Sequence, residues 1–316
     1  MLKIAIHNRS ISGGPGNFLK RLVDAFDKYN LAKVVGVLNI FQDIGLCCSI
    51  ASKYYFKPYV VRIDGIYFDK KNTTGPNEKL NKNIYKTIKK AKGIIFQSNY
   101  AKNLVEAHYG KINIPKVVIM NGAPLQKIYK KKNKKKLIVC SANWRIPKRL
   151  KSIIHTVEEL HKKLDCELLV IGNTRYVQTP AHDFIRYIGK VDAKNISNYL
   201  KKADLFIHLG WLDVCPNSVI EAIASGVPVV CSNQGGTSEI IKKTRFGRVA
   251  ICDADANYDG LVDLYNPPSP DIKEIVKEAE YVLNNYQSVL SRSDRSFIDI
   301  KNIAKKYANF ISSLAN

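Results

Sequence analysis

Two carboxylates lie eight residues apart in the stretch GWLDVCPNSVIEAIASGVPVVCSNQGGTSEII, which runs from Gly210 to Ile241. These acids are Asp213 and Glu221. The order of residues predicts a loop, a helix, a buried strand, a second loop and a second helix. Two acids and two helix N-termini would then share the carboxyl edge of a parallel sheet. That edge is where α/β proteins bind ligands, and helix N-termini attract anions.

Proline and glycine residues mark the boundaries of these elements. Pro216 suits the first turn of the first helix, because its missing N–H needs no partner there, and Gly226 ends that helix. The apolar, β-branched run Val227–Cys231 is typical of a strand covered on both faces. Gly235-Gly236 permits a positive φ or the close approach of a ligand before the second helix.

The composition is that of a globular protein with an unusual charge. A chain of 316 residues favours two domains over one, and 46% hydrophobic with 24% charged residues is ordinary. The formal net charge of +23 favours anionic partners such as nucleotides, nucleic acid or acidic lipid headgroups, or else reflects compositional drift.

Cysteine usage and the N-terminus predict a cytoplasmic protein. The seven cysteines form no CxxC pair and show no metal-ligand spacing, which argues for reduced thiols. The start MLKIAIHNRS is too short and too polar for a signal peptide. No apolar run approaches the roughly 20 residues that a membrane-spanning helix needs.

Short β-branched runs alternate with helical patterns in both halves of the chain. The first half contains LKIAI, AKVVGVL, PYVVRI, KGIIFQS and KVVIM, and the second contains KLIVCSA, ELLVIG, FIRYIG, ADLFIHL and VPVVCS. Helices are expected from about residue 17 and over about 149–164, and the lysine run near 127–136 reads as a linker. The alternation predicts an α/β fold with two doubly wound parallel sheets.

The C-terminal segment has the pattern of an amphipathic helix. Its apolar residues share one helical face: Phe297, Ile300, Ile303, Ala304, Tyr307, Phe310, Ile311 and Leu314. This pattern predicts a helix that packs one side against a core.

Over nearly the whole chain these motifs resemble glycosyltransferase family 4, retaining nucleotide-sugar enzymes with the GT-B fold. The likeness is strongest over ADLFIHLGWLDVCPNSVIEAIASGVPVVCSNQGGTSEII. This segment is similar to the family's acid-x7-Glu motif, which is followed by G-x-P-V-V and G-G-x-x-E. Four shorter segments support the resemblance: SANWRIPKRL, YIGKV, GIIFQSNYAKN and VIMNGAP. The resemblance implies two Rossmann-like domains facing a central cleft. Residues 1–130 would bind the acceptor, 131–292 would bind the nucleotide sugar, and 293–316 would form a helix that crosses back to the N-terminal domain.

The resemblance assigns roles to the two acids. Glu221 matches the acid that hydrogen-bonds the nucleotide ribose, and a carboxylate can accept from two hydroxyls. Asp213 matches the acid that contacts the donor sugar, although the family usually has glutamate there, which leaves the donor sugar open. The resemblance further implies a donor-binding segment whose backbone lies against the sugar and phosphates: Val214, Pro216, Asn217 and Ser218.

A basic cluster resembles the cations that grip the donor diphosphate. Arg145 and Lys148 match this pair at a tighter spacing than usual, and Arg149 is an alternative to Lys148. Fixed cations stabilise the leaving nucleoside diphosphate without a metal, so neither a metal nor a cofactor is expected. Alternatively, the cluster only decorates an exposed helix start.

Two glycine motifs also resemble donor-binding turns. The loop SGGPGN at residues 12–17 resembles a first loop that approaches the donor phosphates or the acceptor, through Gly13, Gly14 and Gly16; a plain tight turn is the alternative. In YIGKV, Gly189 and Lys190 resemble the turn that meets the nucleobase.

The run VVRIDG departs from the family pattern. It resembles a strand that ends in a His-Gly pair, whose histidine meets the donor sugar, but this chain has Asp64-Gly65. Asp64 is expected to hydrogen-bond a sugar hydroxyl or to stabilise developing oxocarbenium charge, as carboxylates do in glycosyl chemistry. A turn aspartate before glycine is the alternative.

Three other features receive lesser roles. His208 is expected to pack near the cleft rather than to act in catalysis, and DAD at 253–255 is expected to be a solvated loop rather than a metal site. The helix NEKLNKNIYKTIKKAK suits either an anionic membrane surface or ordinary solvent. Its expected basic face comprises Lys79, Lys82, Lys86 and Lys89, and its apolar face Leu80, Ile84 and Ile88.

The expected function is a retaining transfer of a hexose-type sugar from a UDP- or GDP-sugar to a hydroxyl of a glycan or lipid-linked acceptor. We expect a cytoplasmic enzyme with no specific nucleic-acid partner, and both alternatives stay open for the basic helix: peripheral contact with an anionic membrane or an ordinary solvated face. The rivals are a GT-B epimerase or hydrolase, which would turn over without acceptor, and a non-catalytic basic nucleic-acid-binding module, against which the lysines lack interleaved aromatics. An NAD-dependent dehydrogenase is disfavoured because the chain lacks GxGxxG after its first strand.

Overall fold

The computed structural model describes residues 1–7, 13–51, 55, 57–68, 77–128, 135–254 and 263–315. The chain forms two compact units. The first contains Met1–Pro124 and Ile298–Asn316, and the second contains Leu125–Ala256 and Leu264–Phe297. Each unit is built around one six-stranded parallel sheet, which confirms the predicted α/β class.

The first sheet has the strand order β2-β1-β3-β4-β5-β6. Its strands are β1 (Lys3–Ile6), β2 (Lys33–Val35), β3 (Ile44–Cys48), β4 (Tyr59–Ile63), β5 (Gly93–Phe96) and β6 (Lys116–Val118). The helices among them are α1 (Gly13–Lys28), α2 (Glu78–Lys90) and α3 (Asn99–Tyr109). Strands β3, β4 and β5 are buried along their whole length, as expected of central parallel strands that are covered on both faces.

The second sheet has the order β12-β11-β10-β7-β8-β9. Its strands are β7 (Lys136–Ser141), β8 (Cys166–Ile171), β9 (Ile185–Gly189), β10 (Leu205–His208), β11 (Val229–Ser232) and β12 (Gly247–Ala250). Its helices are α4 (Leu150–His161), α5 (Ala193–Leu200), α6 (Asn217–Ala224), α7 (Thr237–Thr244), α8 (Ile272–Asn284) and α9 (Tyr286–Ser291). Two short 3₁₀ turns, Ile146–Lys148 and Arg295–Ile298, complete the elements.

The last helix, α10 (Ile300–Ser312), belongs to the first unit. It packs against α1, and its buried side chains join the core of the first sheet: Ile300, Ile303, Ala304, Tyr307, Ala308 and Ile311. The predicted apolar face is therefore largely present. Phe297 is an exception, because it lies in the preceding 3₁₀ turn and is 39% exposed.

Several element boundaries differ from the sequence prediction. Helix α1 begins at Gly13 rather than near residue 17. Pro15 can belong to its first turn, because backbone N–H groups in the first turn have no partner within the helix, so the missing N–H of proline costs nothing there. Strands β3 and β12 were not predicted. The first, IGLCC, contains few β-branched residues, and the second, GRVA, is a partly exposed strand at the end of the sheet order.

The basic helix α2 buries a different stripe from the one predicted. Ile84 and Ile88 are buried, but the stripe is completed by Asn81 and Thr87, while Leu80 is 37% exposed. Asn81 is buried because its amide pairs with the backbone N–H and carbonyl of residue 67. The four lysines of the predicted basic face lie on exposed positions: Lys79, Lys82, Lys86 and Lys89.

Candidate functional site

The loops at the carboxyl edge of the second sheet collect most of the candidate residues. From β7 the chain passes to β8 and β9 on one side, and it then returns to β10, β11 and β12 on the other. The carboxyl ends of β7 and β10 therefore flank a topological switch point, the place where open α/β sheets bind ligands. Lys148 follows β7 and Asp213 follows β10.

Lys148 and Asp213 form an ion pair. The Lys148 Nζ donates to Asp213 Oδ2, and the two side chains are 25% and 15% exposed. Burial by itself raises the pKa of Asp213, but the Lys148 ammonium and the adjacent His208 outweigh it and hold that pKa well below its usual range. The site therefore presents an ionised carboxylate beside an ammonium.

His208 lies directly beside this pair. Its Nε2 is 3.5 Å from Asp213 Oδ2, at the outer limit of a hydrogen bond. Burial lowers the pKa of His208, and Asp213 only partly offsets this effect. The histidine therefore packs in its neutral form against the carboxylate.

Lys148 projects from a short turn that contacts the Asp213 loop. The 3₁₀ turn spans Ile146–Lys148, and the Trp211 N–H donates to the Pro147 carbonyl at 2.7 Å. Arg145, at the start of the turn, is exposed. The structure thus places Arg145 and Lys148 in one turn, but only Lys148 reaches Asp213.

Arg149 has another partner. Its guanidinium makes two 2.9 Å bonds to the Asp253 carboxylate and one 2.7 Å bond to the Pro268 carbonyl. Arg149 thus pairs with Asp253 while Lys148 pairs with Asp213, and the predicted donor contact of Arg149 stays a prediction. The prediction of a solvated loop at 253–255 is wrong for Asp253, which is 8% exposed because it neutralises a buried arginine; Asp255 lies outside the described residues.

Gly235 and Gly236 hold the backbone of Asp213. The Gly236 N–H donates to the Asp213 carbonyl at 2.8 Å, and Gly235 has a φ of +89°. A Cβ at Gly235 would lie 2.7 Å from that same carbonyl oxygen. The close approach predicted for this glycine pair is therefore an approach to the protein's own Asp213 loop.

Helix α6 begins next to this loop. Pro216 is its N-cap residue rather than a residue of its first turn, and Glu221 lies one turn beyond Asn217. Because α6 follows a parallel strand, its N-terminus lies at the carboxyl edge with Asp213. The remaining candidates here are all half-buried: Val214, Asn217, Ser218 and Glu221.

Two glycine motifs have different outcomes. Gly189 ends β9 with a φ of +73° and accepts from the Gly172 N–H at 2.7 Å, while Lys190 is exposed. Gly13, Gly14 and Gly16 do not form a loop but the first turn of α1, although Gly13 keeps a φ of +81°. Their predicted contacts with a donor stay predictions.

Asp64 lies at the carboxyl edge of the first sheet within a buried polar network. Arg62 and Gln97 both donate to its Oδ1, and Arg62 also donates to Asn121 Oδ1 at 2.8 Å. Gly65 has a φ of +111°, as expected of a turn glycine. Arg62 was not among the residues predicted for the site, although a charged residue inside the apolar run YVVRI is a signal for such a buried partner.

In the described part of the chain, no three His, Cys, Asp or Glu side chains converge as a metal site would require. Among the helices of the same residues, none combines the length and apolarity needed to cross a membrane. All seven cysteines are buried free thiols.

Known proteins share both sequence and fold with this chain. The N-acetyl-alpha-D-glucosaminyl L-malate synthase of Bacillus anthracis is 22% identical over 187 residues, which are 56% of this chain and 49% of that protein. The chain spans about half the length of the curated relatives it matches.

Two solved structures match over nearly their full length. Anabaena HepE in complex with UDP and glucose has a TM-score of 0.62 at 14% identity, covering 99% of this chain and 100% of that chain. The lipopolysaccharide outer core galactosyltransferase WaaB has a TM-score of 0.65 at 13% identity, covering 99% of each chain. These matches show that the fold is of the GT-B type.

The sequence profile of a known family covers the candidate site. The profile described as Glycosyl transferases group 1 matches residues 123–288, which are just over half of the chain and include Lys148, Asp213 and Glu221. Together with the GT-B fold, this match shows that the chain belongs to the group 1 glycosyl transferases.

Proposed function

We propose that this chain is a retaining, metal-independent glycosyltransferase of family 4. It would move a hexose-type sugar from a UDP- or GDP-sugar to a hydroxyl of a glycan or lipid-linked acceptor. The observation that carries the proposal is the Lys148–Asp213 ion pair beside the N-terminus of α6, at the switch point of the second sheet. This arrangement suits a ligand that carries both phosphate oxygens and sugar hydroxyls.

In this proposal, the cations stabilise the leaving group. When the bond between the anomeric carbon and the diphosphate oxygen breaks, negative charge develops on the nucleoside diphosphate. The Lys148 ammonium and the exposed Arg145 would stabilise that charge, and so would the helix dipole of α6. The acceptor oxygen forms the new bond to the anomeric carbon, and its proton leaves with the diphosphate or solvent.

The acids would orient the rest of the donor. Asp213 is ionised and held by Lys148, so it can accept from a sugar hydroxyl. Glu221 lies on the first turns of α6, where it would accept from the ribose hydroxyls. Asp64 is proposed to contact the sugar, and the bonds from Arg62 and Gln97 would fix its orientation.

Two similar proteins support the donor class. HepE binds UDP and glucose in its crystal structure, and the Bacillus anthracis relative is named for a glucosaminyl product. Both names favour a hexose or hexosamine, and the base of the donor, UDP or GDP, stays open because another relative is named as GDP-mannose-dependent. The exposed lysines of α2 support a peripheral contact with anionic headgroups, which would suit a lipid-linked acceptor.

A thermal-shift panel tests the proposal. The protein is mixed with UDP, GDP, UDP-glucose, UDP-galactose, UDP-N-acetylglucosamine, GDP-mannose and NAD, because a ligand that binds only the folded state raises Tm. We expect one nucleotide family to stabilise the wild type and to lose this effect in Glu221→Ala. Glu274→Ala is the matched control, since Glu274 pairs with Lys277 on the surface of α8.

Three results would contradict the proposal. Stabilisation by NAD alone would favour a dehydrogenase, and no stabilisation by any nucleotide would remove the main support for a transferase. Donor turnover at an unchanged rate with and without acceptors would favour the hydrolase or epimerase alternative.

A further inference from the structure

Arg149 and Asp253 form the most buried ion pair among the described residues. Their side chains are 3% and 0% exposed, and the two 2.9 Å bonds form a parallel fork. Such a pair contributes little to stability by itself, because desolvation of both charges offsets their attraction. The contribution of this ion pair to stability therefore does not explain why it is buried at this position.

The backbone at Arg149 is unusual. Arg149 has a φ of +53° and a ψ of +42°, a left-handed conformation that is unfavourable for a residue with a Cβ. It lies between the 3₁₀ turn that carries Lys148 and the start of α4. The hydrogen bonds of the Arg149 side chain therefore stabilise an unfavourable backbone conformation at the residue that directly follows Lys148.

The same pair ties together the loops that surround the candidate site. The Arg149 guanidinium lies 4.7 Å from the Trp211 ring, two residues before Asp213. Asn233, which follows β11, accepts from the Asp253 N–H at 2.9 Å and donates to its carbonyl at 2.8 Å. The loops after β7, β10, β11 and β12 therefore meet at one buried network.

We infer that Arg149 and Asp253 are positioning residues that set the geometry of the Lys148–Asp213 pair for donor binding. Arg149 holds the turn that carries Lys148, and its contact with Trp211 holds the loop that carries Asp213. The inference rests on the proposed function, because it assumes that Lys148 contacts the donor diphosphate. It assigns no direct donor contact to Arg149.

A double-mutant cycle on UDP affinity tests this inference. Asp253→Asn keeps the shape of the side chain but turns an amide N–H toward the guanidinium. In the wild-type background we expect Asp253→Asn to weaken UDP binding about 10- to 100-fold. This factor corresponds to the loss of one charge-assisted hydrogen bond, because Lys148 would no longer be held in the position that contacts the diphosphate. In a Lys148→Ala background the same change should weaken UDP binding less than about twofold, because the group it positions is absent.

The control separates positioning from a general loss of stability. Glu278→Gln breaks the ion pair with Arg248, between α8 and β12 of the same unit. It is expected to lower the unfolding midpoint and to leave UDP affinity unchanged at temperatures where the protein is folded. Trp144 and Trp211, the only two tryptophans of the chain, both belong to the second unit, so their fluorescence reports its unfolding.

A second variant covers the case in which Asp253→Asn does not fold. The pair Arg149→Met with Asp253→Leu removes both charges, and such apolar replacements often preserve stability. We expect this variant to fold and to bind UDP at least tenfold more weakly than the wild type.

Each outcome decides between the alternatives. Equal fold losses in the two Lys148 backgrounds, or wild-type affinity in the apolar variant, would overturn the positioning role while the proposed function stands. Failure of the wild type to bind UDP or GDP at all would instead overturn the proposed function, and this inference with it.

Discussion

At the scale of single residues, the candidate site is a small group of compensating charges. Lys148 and Asp213 neutralise each other, while His208 stays neutral because burial lowers its pKa. The chain has an aspartate where the family resemblance predicts glutamate, yet its carboxylate reaches Lys148 directly. The shorter side chain therefore keeps its ion pair, and only its contact with the donor sugar remains a prediction.

The buried His208 predicts a loss of stability in mild acid. Its pKa is lower in the folded protein than the ordinary value of 6.5, so the unfolded chain binds more protons as the pH falls below that value. We expect the urea midpoint of the tryptophan transition to fall between about pH 7.5 and 5.5, and His208→Gln to fall less over the same range. Asp213 titrates at lower pH and does not contribute in this window.

An exposed histidine provides the control for this measurement. His155 lies on α4 of the same unit, with a side chain that is 56% exposed. His155→Gln is expected to keep the wild-type dependence of the midpoint on pH. An identical dependence in the wild type and His208→Gln would contradict the assignment.

At the scale of elements, loops after parallel strands build the site, and glycines allow those loops to pack closely. Gly236 donates to the Asp213 carbonyl, and Gly235 passes beside the same carbonyl with a positive φ. The helix that follows, α7, begins at Thr237. The Gly-Gly motif therefore shapes the Asp213 loop as well as starting a helix.

Gly235→Ala is expected to destabilise the second unit more than Gly189→Ala. Both glycines have a positive φ, which costs an alanine about 1–2 kcal/mol. A Cβ at Gly189 would meet nothing within 4 Å, whereas at Gly235 it would lie 2.7 Å from a backbone oxygen. We expect this clash to add about 1–3 kcal/mol to the loss of unfolding free energy, measured by urea unfolding with tryptophan fluorescence.

The comparison of the two alanine variants isolates the close approach from the strain. Equal losses would mean that the Asp213 loop moves away at no cost. In that case the position of Asp213 would not depend on the glycine pair.

At the scale of the whole molecule, the charge of +23 acts on every anionic ligand. Exposed charges attract nucleic acid, nucleotides and acidic lipids at low salt. At 0.1 M salt this attraction is largely screened beyond a distance of about 10 Å. A folded nucleotide site is different, because its contacts are short and partly buried. The dependence of binding on salt therefore separates a specific donor site from a general basic surface.

Binding of DNA and of UDP is expected to respond differently to salt. Between about 50 and 200 mM salt, the affinity for a random-sequence duplex should fall by about 10³-fold or more, as expected when several phosphates are neutralised. The affinity for UDP should fall by less than about tenfold over the same range, because fewer charges are involved. Calorimetry for UDP and fluorescence anisotropy for DNA measure the two slopes. Tight DNA binding that persists at 200 mM, with no UDP binding, would favour the nucleic-acid module.

Much of the fold, and the place of Asp213 in it, followed from the sequence by itself. Alternating β-branched runs and helical patterns determined the α/β class, because strands buried on both faces need apolar residues throughout. The sequence also predicted that Asp213 and the start of α6 lie at the carboxyl edge of the second sheet, because they follow a strand of that sheet. The apolar face of the last helix was equally visible in its spacing.

Only the tertiary structure decided which charges meet. Arg149 and Asp253 are 104 residues apart in the chain, and nothing local distinguishes a buried arginine from its exposed neighbour Arg145. Likewise, Asp64 accepts a hydrogen bond from Gln97, which is 33 residues away and directly follows β5. Helix α10 belongs to the first unit, although the second unit precedes it in the sequence. Periodicity reports which face of an element is buried, because that depends on near neighbours. Pairing between loops depends on the order of strands in a sheet, which only the folded chain determines.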